Sequence, residues 1–161
     1  MNGRRAFVFA AGGLLAGCGF QLRGEARLPF ATLHVPLPAN DELREQIRRA
    51  VEGGSTTRLV ADAAGADARL FIIANKQNKN VLSVSAAGRV REFELVRRFT
   101  FRVVDREERE RIAPSTIVVR RDITFSDEQV LSKEAEEVLL WQDMQKDLVQ
   151  QLLRRLAAAK P

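Results

Sequence analysis

The stretch Glu92-Phe-Glu-Leu-Val-Arg-Arg-Phe-Thr-Phe-Arg-Val103 alternates along its whole length. Phe93, Leu95, Phe99, Phe101 and Val103 fall on one phase, with Glu92, Glu94, Arg98, Thr100 and Arg102 on the other. A strand points successive side chains to opposite faces, so this pattern predicts a long strand with one face in a core and one in water. Arg97 falls on the apolar phase, which predicts either a β-bulge or an arginine at the sheet edge. Upstream, Leu70 to Ala74 is rich in β-formers and Val81 to Ala86 is a second extended run, with Ala87-Gly88 as the turn. Downstream, the charged turn Asp105 to Arg111 and Pro114 lead into a strand that places Ile117, Val119, Ile123 and Phe125 together. Arg121 lies on that same phase. Two arginines out of phase on neighbouring strands imply either a shared carboxylate partner or a functional basic spot.

Working outward, two helical patterns flank this block. Ser126 and Gln129 have the spacing of a capping box. After them Leu131, Ala135, Val138, Trp141, Met144, Leu148, Leu152 and Leu156 recur every three or four residues, a stripe wide enough to cover a sheet. This helix is predicted at about 32 residues, a rod of roughly 48 Å at 1.5 Å per residue. Nearer the N-terminus, Thr32 to Val35 reads as a short edge-like strand stopped by Pro36-Leu-Pro38. Asn40 is placed to cap a helix carrying Leu43, Ile47 and Val51, with Asp41 and Glu42 in its first turn and Gly53-Gly54 at its end. Residues 55–68 read as a loop with a short extended piece around Leu59-Val60. The order β-α-β-β-β-α predicts an α+β fold, with two helices packed on one face of a mostly antiparallel four-stranded sheet.

The first residues carry a different message. Arg4 and Arg5 precede an apolar run from Ala6 to Leu15, and Leu15-Ala16-Gly17-Cys18 contains the only cysteine of 161 residues. A charged start, a short apolar middle and a small-residue site make a secretion signal over residues 1–17. The run is too short for a spanning helix, which needs roughly 20 apolar residues. The Leu-Ala-Gly-Cys order is that of a bacterial lipobox, so Cys18 is the expected lipidation site. Its acyl chains provide the membrane anchor, since stable attachment takes more than one chain. Gly19, where an aspartate would resemble an inner-membrane retention signal, points to the outer membrane. Residues 18–30 then form a lipidated tether and residues 31–161 a single domain.

Removal of residues 1–17 leaves 144 residues with 24 basic and 21 acidic side chains. That length suits one domain with a real core, and acylation of Cys18 leaves no thiol for a disulfide. The sequence pI near 10.1 invites a nucleic-acid reading, which the compartment excludes; the polyanion there is lipopolysaccharide. Arginine suits its phosphates and carboxylates, although an arginine-rich surface also serves simple solubility. His34 is the single histidine and borders a strand and a proline, a structural setting. No phosphate loop, metal-ligand spacing or nucleophile–base pair is legible. Neither catalysis, a metal nor a cofactor is therefore expected, and the chain reads as a binding or assembly protein.

Cys18-Gly-Phe-Gln-Leu-Arg-Gly24 resembles the start of mature LptE-family lipoproteins. The resemblance continues at Gly88-Arg-Val-Arg-Glu-Phe-Glu-Leu95, Arg121-Asp-Ile-Thr-Phe125, Leu131-Ser-Lys-Glu-Ala-Glu-Glu137, Asp143-Met144 and Leu148-Val-Gln-Gln-Leu-Leu-Arg-Arg-Leu156. It implies a two-helix, one-sheet domain that plugs an LptD-type outer-membrane barrel, binds lipopolysaccharide and aids its insertion into the outer leaflet. The family's basic residue at the head of the last helix falls on Lys133, expected to project there or to pair with Glu137. A second basic position, in the hairpin, falls near Ala86-Ala87 and has no match, so Arg89 and Arg91 are the nearby substitutes. A helix start also favours anions, and the Gly88 turn and that start are expected at one end of the sheet. The alternatives are a structural outer-membrane lipoprotein serving another barrel-assembly machine or the cell wall, and, more remotely, a lipid-anchored hydrolase.

Overall fold

The computed structural model describes residues 28–125 and 130–159. Cys18, the signal segment, most of the tether and the Ser126–Gln129 capping box lie outside the described residues. Five strands and two helices follow in order: β1 (Thr32–His34), α1 (Glu42–Gly54), β2 (Arg58–Val60), β3 (Ala68–Val84), β4 (Val90–Asp105), β5 (Glu110–Thr124) and α2 (Val130–Ala157). The sheet runs β2-β1-β3-β4-β5. The α+β class and both helices agree with the sequence reading, but the sheet is five-stranded and mixed, not four-stranded. The β1-α1-β2 unit is a crossover, and a crossover returns the chain parallel to where it began. Accordingly β1 pairs in parallel with β2 on one side and with β3 on the other. Strand β2 was legible only as an extended piece, because three residues carry no periodicity. Asp67 closes this corner, accepting from the Thr32 amide at 3.0 Å and its hydroxyl at 2.9 Å.

The two extended runs at Leu70 and Val81 are one strand. Residues 75–80, polar throughout, pair in unbroken register with Phe99 to Glu94. Bulges between Ile72 and Ala74 and between Val81 and Val84 shift its phase, which explains why no single alternation runs along it. Gly88 supplies the positive φ of 74° that the tip needs. A second turn is organised by buried Asp105, which accepts the amides of Glu107 and Arg109 at 2.9 Å each. It also pairs with the guanidinium groups of Arg109 and Arg111. Burial alone would raise this carboxyl, but those bonds and charges outweigh it and hold it below the ordinary aspartate range.

Helix α1 is capped by Asp41, not Asn40: its carboxylate accepts the Arg44 amide at 3.1 Å. It buries Leu43, Ile47 and Val51 and runs beside the C-terminal half of α2, with Gly54 against Leu153. Helix α2 spans 28 described residues, roughly 42 Å at 1.5 Å each. Met144, Leu148, Val149, Leu152 and Leu156 are buried, packing with Leu95, Phe99, Phe101, Ile117, Val119 and Ile123 in one core. The stripe expected to be core along its whole length is core only from Leu140 onward. Ala135, Val138 and Leu131 are exposed, Leu131 by 83%.

Arg97 is neither at a bulge nor at an edge. Strand β4 lies inside the sheet, and its pairing is regular through Arg97 on both sides. The side chain is 4% exposed. Burial pulls its pKa below the ordinary arginine value, with Glu42 and Asp41 opposing the shift. Arg121 has a separate partner, Asp147 of α2. Among the described residues the two arginines therefore share no carboxylate.

Candidate functional site

The far end of the β3–β4 hairpin, the end of β5 and the start of α2 meet at one end of the molecule. Antiparallel pairing brings Glu92 of β4 opposite Thr124 of β5, and one residue further the Phe125 amide donates to the Arg91 carbonyl at 2.7 Å. Phe125 then turns edge-on to Phe93, centroids 5.7 Å apart at 85°. Lys79 crosses above the Phe93 ring at 4.2 Å and pairs with Glu137 at 2.6 Å. Glu137 also accepts the Trp141 indole N–H at 3.2 Å. A strand, an aromatic pair and a helix are thus tied together by one carboxylate, and the first turns of α2 are held over the strand ends.

Arg89, Arg91 and Lys133 all lie at this end. Arg89 sits beyond the Gly88 turn, where its carbonyl accepts the Ser85 amide at 2.7 Å and its own amide donates to the Ser85 hydroxyl at 3.2 Å. Arg91 is exposed two residues before Phe93. Lys133 behaves differently from the expectation that it projects freely or pairs with Glu137. It is half-buried, and its ammonium group donates to Glu136 Oε2 at 2.8 Å and to Thr124 Oγ1 at 3.2 Å. Glu137 pairs instead with Lys79 and Trp141. The expectation that the Gly88 turn and the helix start share one end of the sheet agrees with the structure.

The same end carries exposed apolar surface. Val81, Leu82 and Val84 of β3 and Leu131, Val138 and Leu139 of α2 are each about half or more exposed. Helix α1 stops short of this region, so among the described residues no second helix covers the flank of α2 here. Cations beside uncovered aliphatic side chains suit an amphiphile with anionic groups. Among the described residues, no helix is long and apolar enough to cross a membrane.

A family model described as LptE, lipopolysaccharide-assembly, matches residues 30–156. The chain belongs to the LptE family. It is 28% identical over 151 residues to the LPS-assembly lipoprotein LptE of Pectobacterium atrosepticum, covering 89% of this chain and 78% of that protein. Against the LptE of Yersinia enterocolitica the identity is 30% over 149 residues, covering 88% and 69%. A lipoprotein B of Nitrosomonas europaea, solved in solution, superposes with a TM-score of 0.74 at 38% identity, over 87% of this chain and 91% of that one. A minor lipoprotein of Acinetobacter baumannii shares the fold, with a TM-score of 0.67 at 23% identity over 83% and 99%. As an LptE-family lipoprotein, the protein serves lipopolysaccharide assembly.

Sequence reasoning missed three members of this candidate site. Phe125 was assigned to the strand core, Lys79 was passed over within a polar run, and Glu137 was read as a partner of Lys133. For Lys79 the phase became readable only from the pairing with β4, where it stands opposite Leu95 on the inner face.

Proposed function

We propose that this LptE-family protein is anchored to the outer membrane through acyl chains on Cys18. There it seats inside an LptD-type barrel and binds lipopolysaccharide at the hairpin–helix end of its domain, acting by binding and not by catalysis. The observation that carries this reading is the bond from the Phe125 amide to the Arg91 carbonyl, because it brings Arg89, Arg91 and Lys133 to the end where Leu131, Val81 and Val84 are uncovered. Phosphates of the glycolipid meet the cations through charge-assisted bonds, and its acyl chains meet the aliphatic side chains. Lys133, held by Thr124 and Glu136, contributes a positioned charge; Arg89 and Arg91 add two exposed cations from the hairpin.

Two measurements test the proposal. Purification from the native outer membrane should recover the acylated protein in stoichiometric complex with a large LptD-type barrel; recovery with other partners, or an unmodified Cys18 by mass spectrometry, overturns the corresponding part. Reversing charge at Arg89 and Lys133 together should weaken lipopolysaccharide binding, and raised salt should weaken the wild type in the same direction. Binding indifferent to both would place the lipid elsewhere.

A further inference from the structure

The face of the sheet away from the helices carries its own charged cluster. On that face Lys76 of β3 stands directly opposite Arg98 of β4 in the antiparallel register. Like charges placed opposite one another across strands destabilise the pair. Neither side chain has a hydrogen-bond or ion-pair partner among the described residues, although most neighbouring arginines of the sheet do. Arg120 pairs with Glu94 at 2.9 Å, Arg102 with Glu110 at 3.8 Å, and Arg121 with Asp147. Next to the unmatched pair, Asn78, Val96 and Arg120 sit across the three strands in one row. Together with Lys76, Asn80 and Arg98 they line a depression of about 160 Å3. That volume holds about five water-sized groups at roughly 30 Å3 each, room for a phosphate. Its floor is the nearly buried Val96. Two carboxylates flank the depression: Glu94, already engaged by Arg120 and by Asn80, and Asp122, directly opposite Glu94 in the register, so Lys76, Arg98 and Arg120 leave one net positive charge on this part of the face.

We propose that this depression on the open sheet face is a second anion site, taking a phosphomonoester of the phosphorylated glycolipid that the hairpin–helix end binds. A phosphomonoester brings nearly two negative charges and three acceptor oxygens in one compact group. Lys76, Arg98 and the Asn78 carboxamide line the depression as donors for such a group, beside Arg120 and Asn80, which Glu94 holds. Carboxylates on a barrel wall would arrive as single charges, each matching one cation. The proposal rests on the lipopolysaccharide reading above but uses residues on the opposite face of the sheet. It explains why an unfavourable Lys76–Arg98 pair stands uncovered: the ligand supplies the missing counter-charge.

The test uses the full-length lipoprotein in detergent, with Lys76→Glu and Arg98→Gln as variants. The probes are micelles of bisphosphorylated lipid A, the same lipid after enzymatic removal of its phosphates, and inorganic phosphate. Lys76→Glu should weaken binding of the phosphorylated lipid about tenfold, leave the dephosphorylated lipid unaffected, and raise the melting temperature, since it sets an acid opposite Arg98. Opposite movement of stability and affinity separates a ligand site from a folding defect. Arg98→Gln should weaken the phosphorylated lipid alone. If inorganic phosphate competes, the free anion suffices for the site; if it does not while the two lipids are still discriminated, the site needs the headgroup. Equal loss for both lipids, no loss in either variant, or loss of barrel association with lipid binding intact each overturn the proposal. Failure of the wild type to bind phosphorylated lipid at all would instead overturn the functional reading itself.

Discussion

The two ends of α2 contrast within one continuous helix. From Met144 to Leu156 it lies on β4 and β5 with α1 alongside, and Leu148 and Leu156 are wholly buried. From Val130 to Leu139 it continues the same three-and-four spacing of apolar residues, yet Leu131, Val138 and Leu139 are more than half exposed. The hairpin beneath behaves likewise: Leu70 is buried, Val81 and Val84 are not. The difference lies in the length of α1. At 13 residues it reaches only about 20 Å, so it closes one half of the layer and leaves the other open. One half is a core that holds the fold, and the other is a surface with the composition of a core. Such surface in a folded protein marks a place for a partner or ligand.

The sharpest way to break this contrast is to truncate each half. Leu148→Ala should cost about 2–5 kcal/mol in denaturant melts, because a fully buried leucine leaves a cavity behind. If the loss fell below about 0.5 kcal/mol, the size usual for surface sites, the closed half would not be the core.

A smaller effect should come from the turn at Asp105. Its carboxyl is held below the ordinary aspartate range, so the stability it adds is present above the unfolded value near 3.9 and is lost as pH falls through the lower folded value. Asp105→Asn should therefore lower the melting temperature at pH 7 and flatten its fall between pH 4 and pH 2. A wild-type melting temperature insensitive to acid in that window would show that the turn contributes nothing through this charge.

Arg97 tests the closed half differently. Its Nε is buried without a partner, and unmatched buried polar groups cost free energy. Arg97→Met keeps the volume and removes the charge, so stability should hold or rise slightly, as for other buried charges replaced by apolar residues of similar size. A marked loss would mean that Asp41 and Glu42 depend on the guanidinium charge.

The smallest expected change sharpens the open half. Leu131→Ala should alter stability by less than about 0.5 kcal/mol while weakening lipopolysaccharide binding. A stability loss like that of Leu148→Ala would show this flank to be covered.

Much of this molecule was legible from the order of its residues. The alternation of Phe93 to Val103 specified a strand and its buried face, because a period of two leaves a strand no other arrangement. Gly88 marked the turn, and the Leu148–Leu156 stripe marked a sheet-covering helix. Three-residue β2 was legible only as an extended piece around Leu59-Val60, since it becomes a strand only because β1 offers it an edge. The phase shift in β3 hid Lys79, because a bulge is decided by pairing with β4 and leaves no periodic trace.

By itself the sequence determined the two helices, the faces of β4 and β5 and, through its ordered motifs, the family. Tertiary structure alone decided how far the core extends. A helical stripe records which residues are able to be buried, and only the 13-residue reach of α1 settles which of them are. It also decided the partners of each charge: Lys133 goes to Thr124 and Glu136, Glu137 to Lys79, and Lys76 stands against Arg98. Lys79 and Glu137 meet within a few ångströms although 58 positions separate them in the chain.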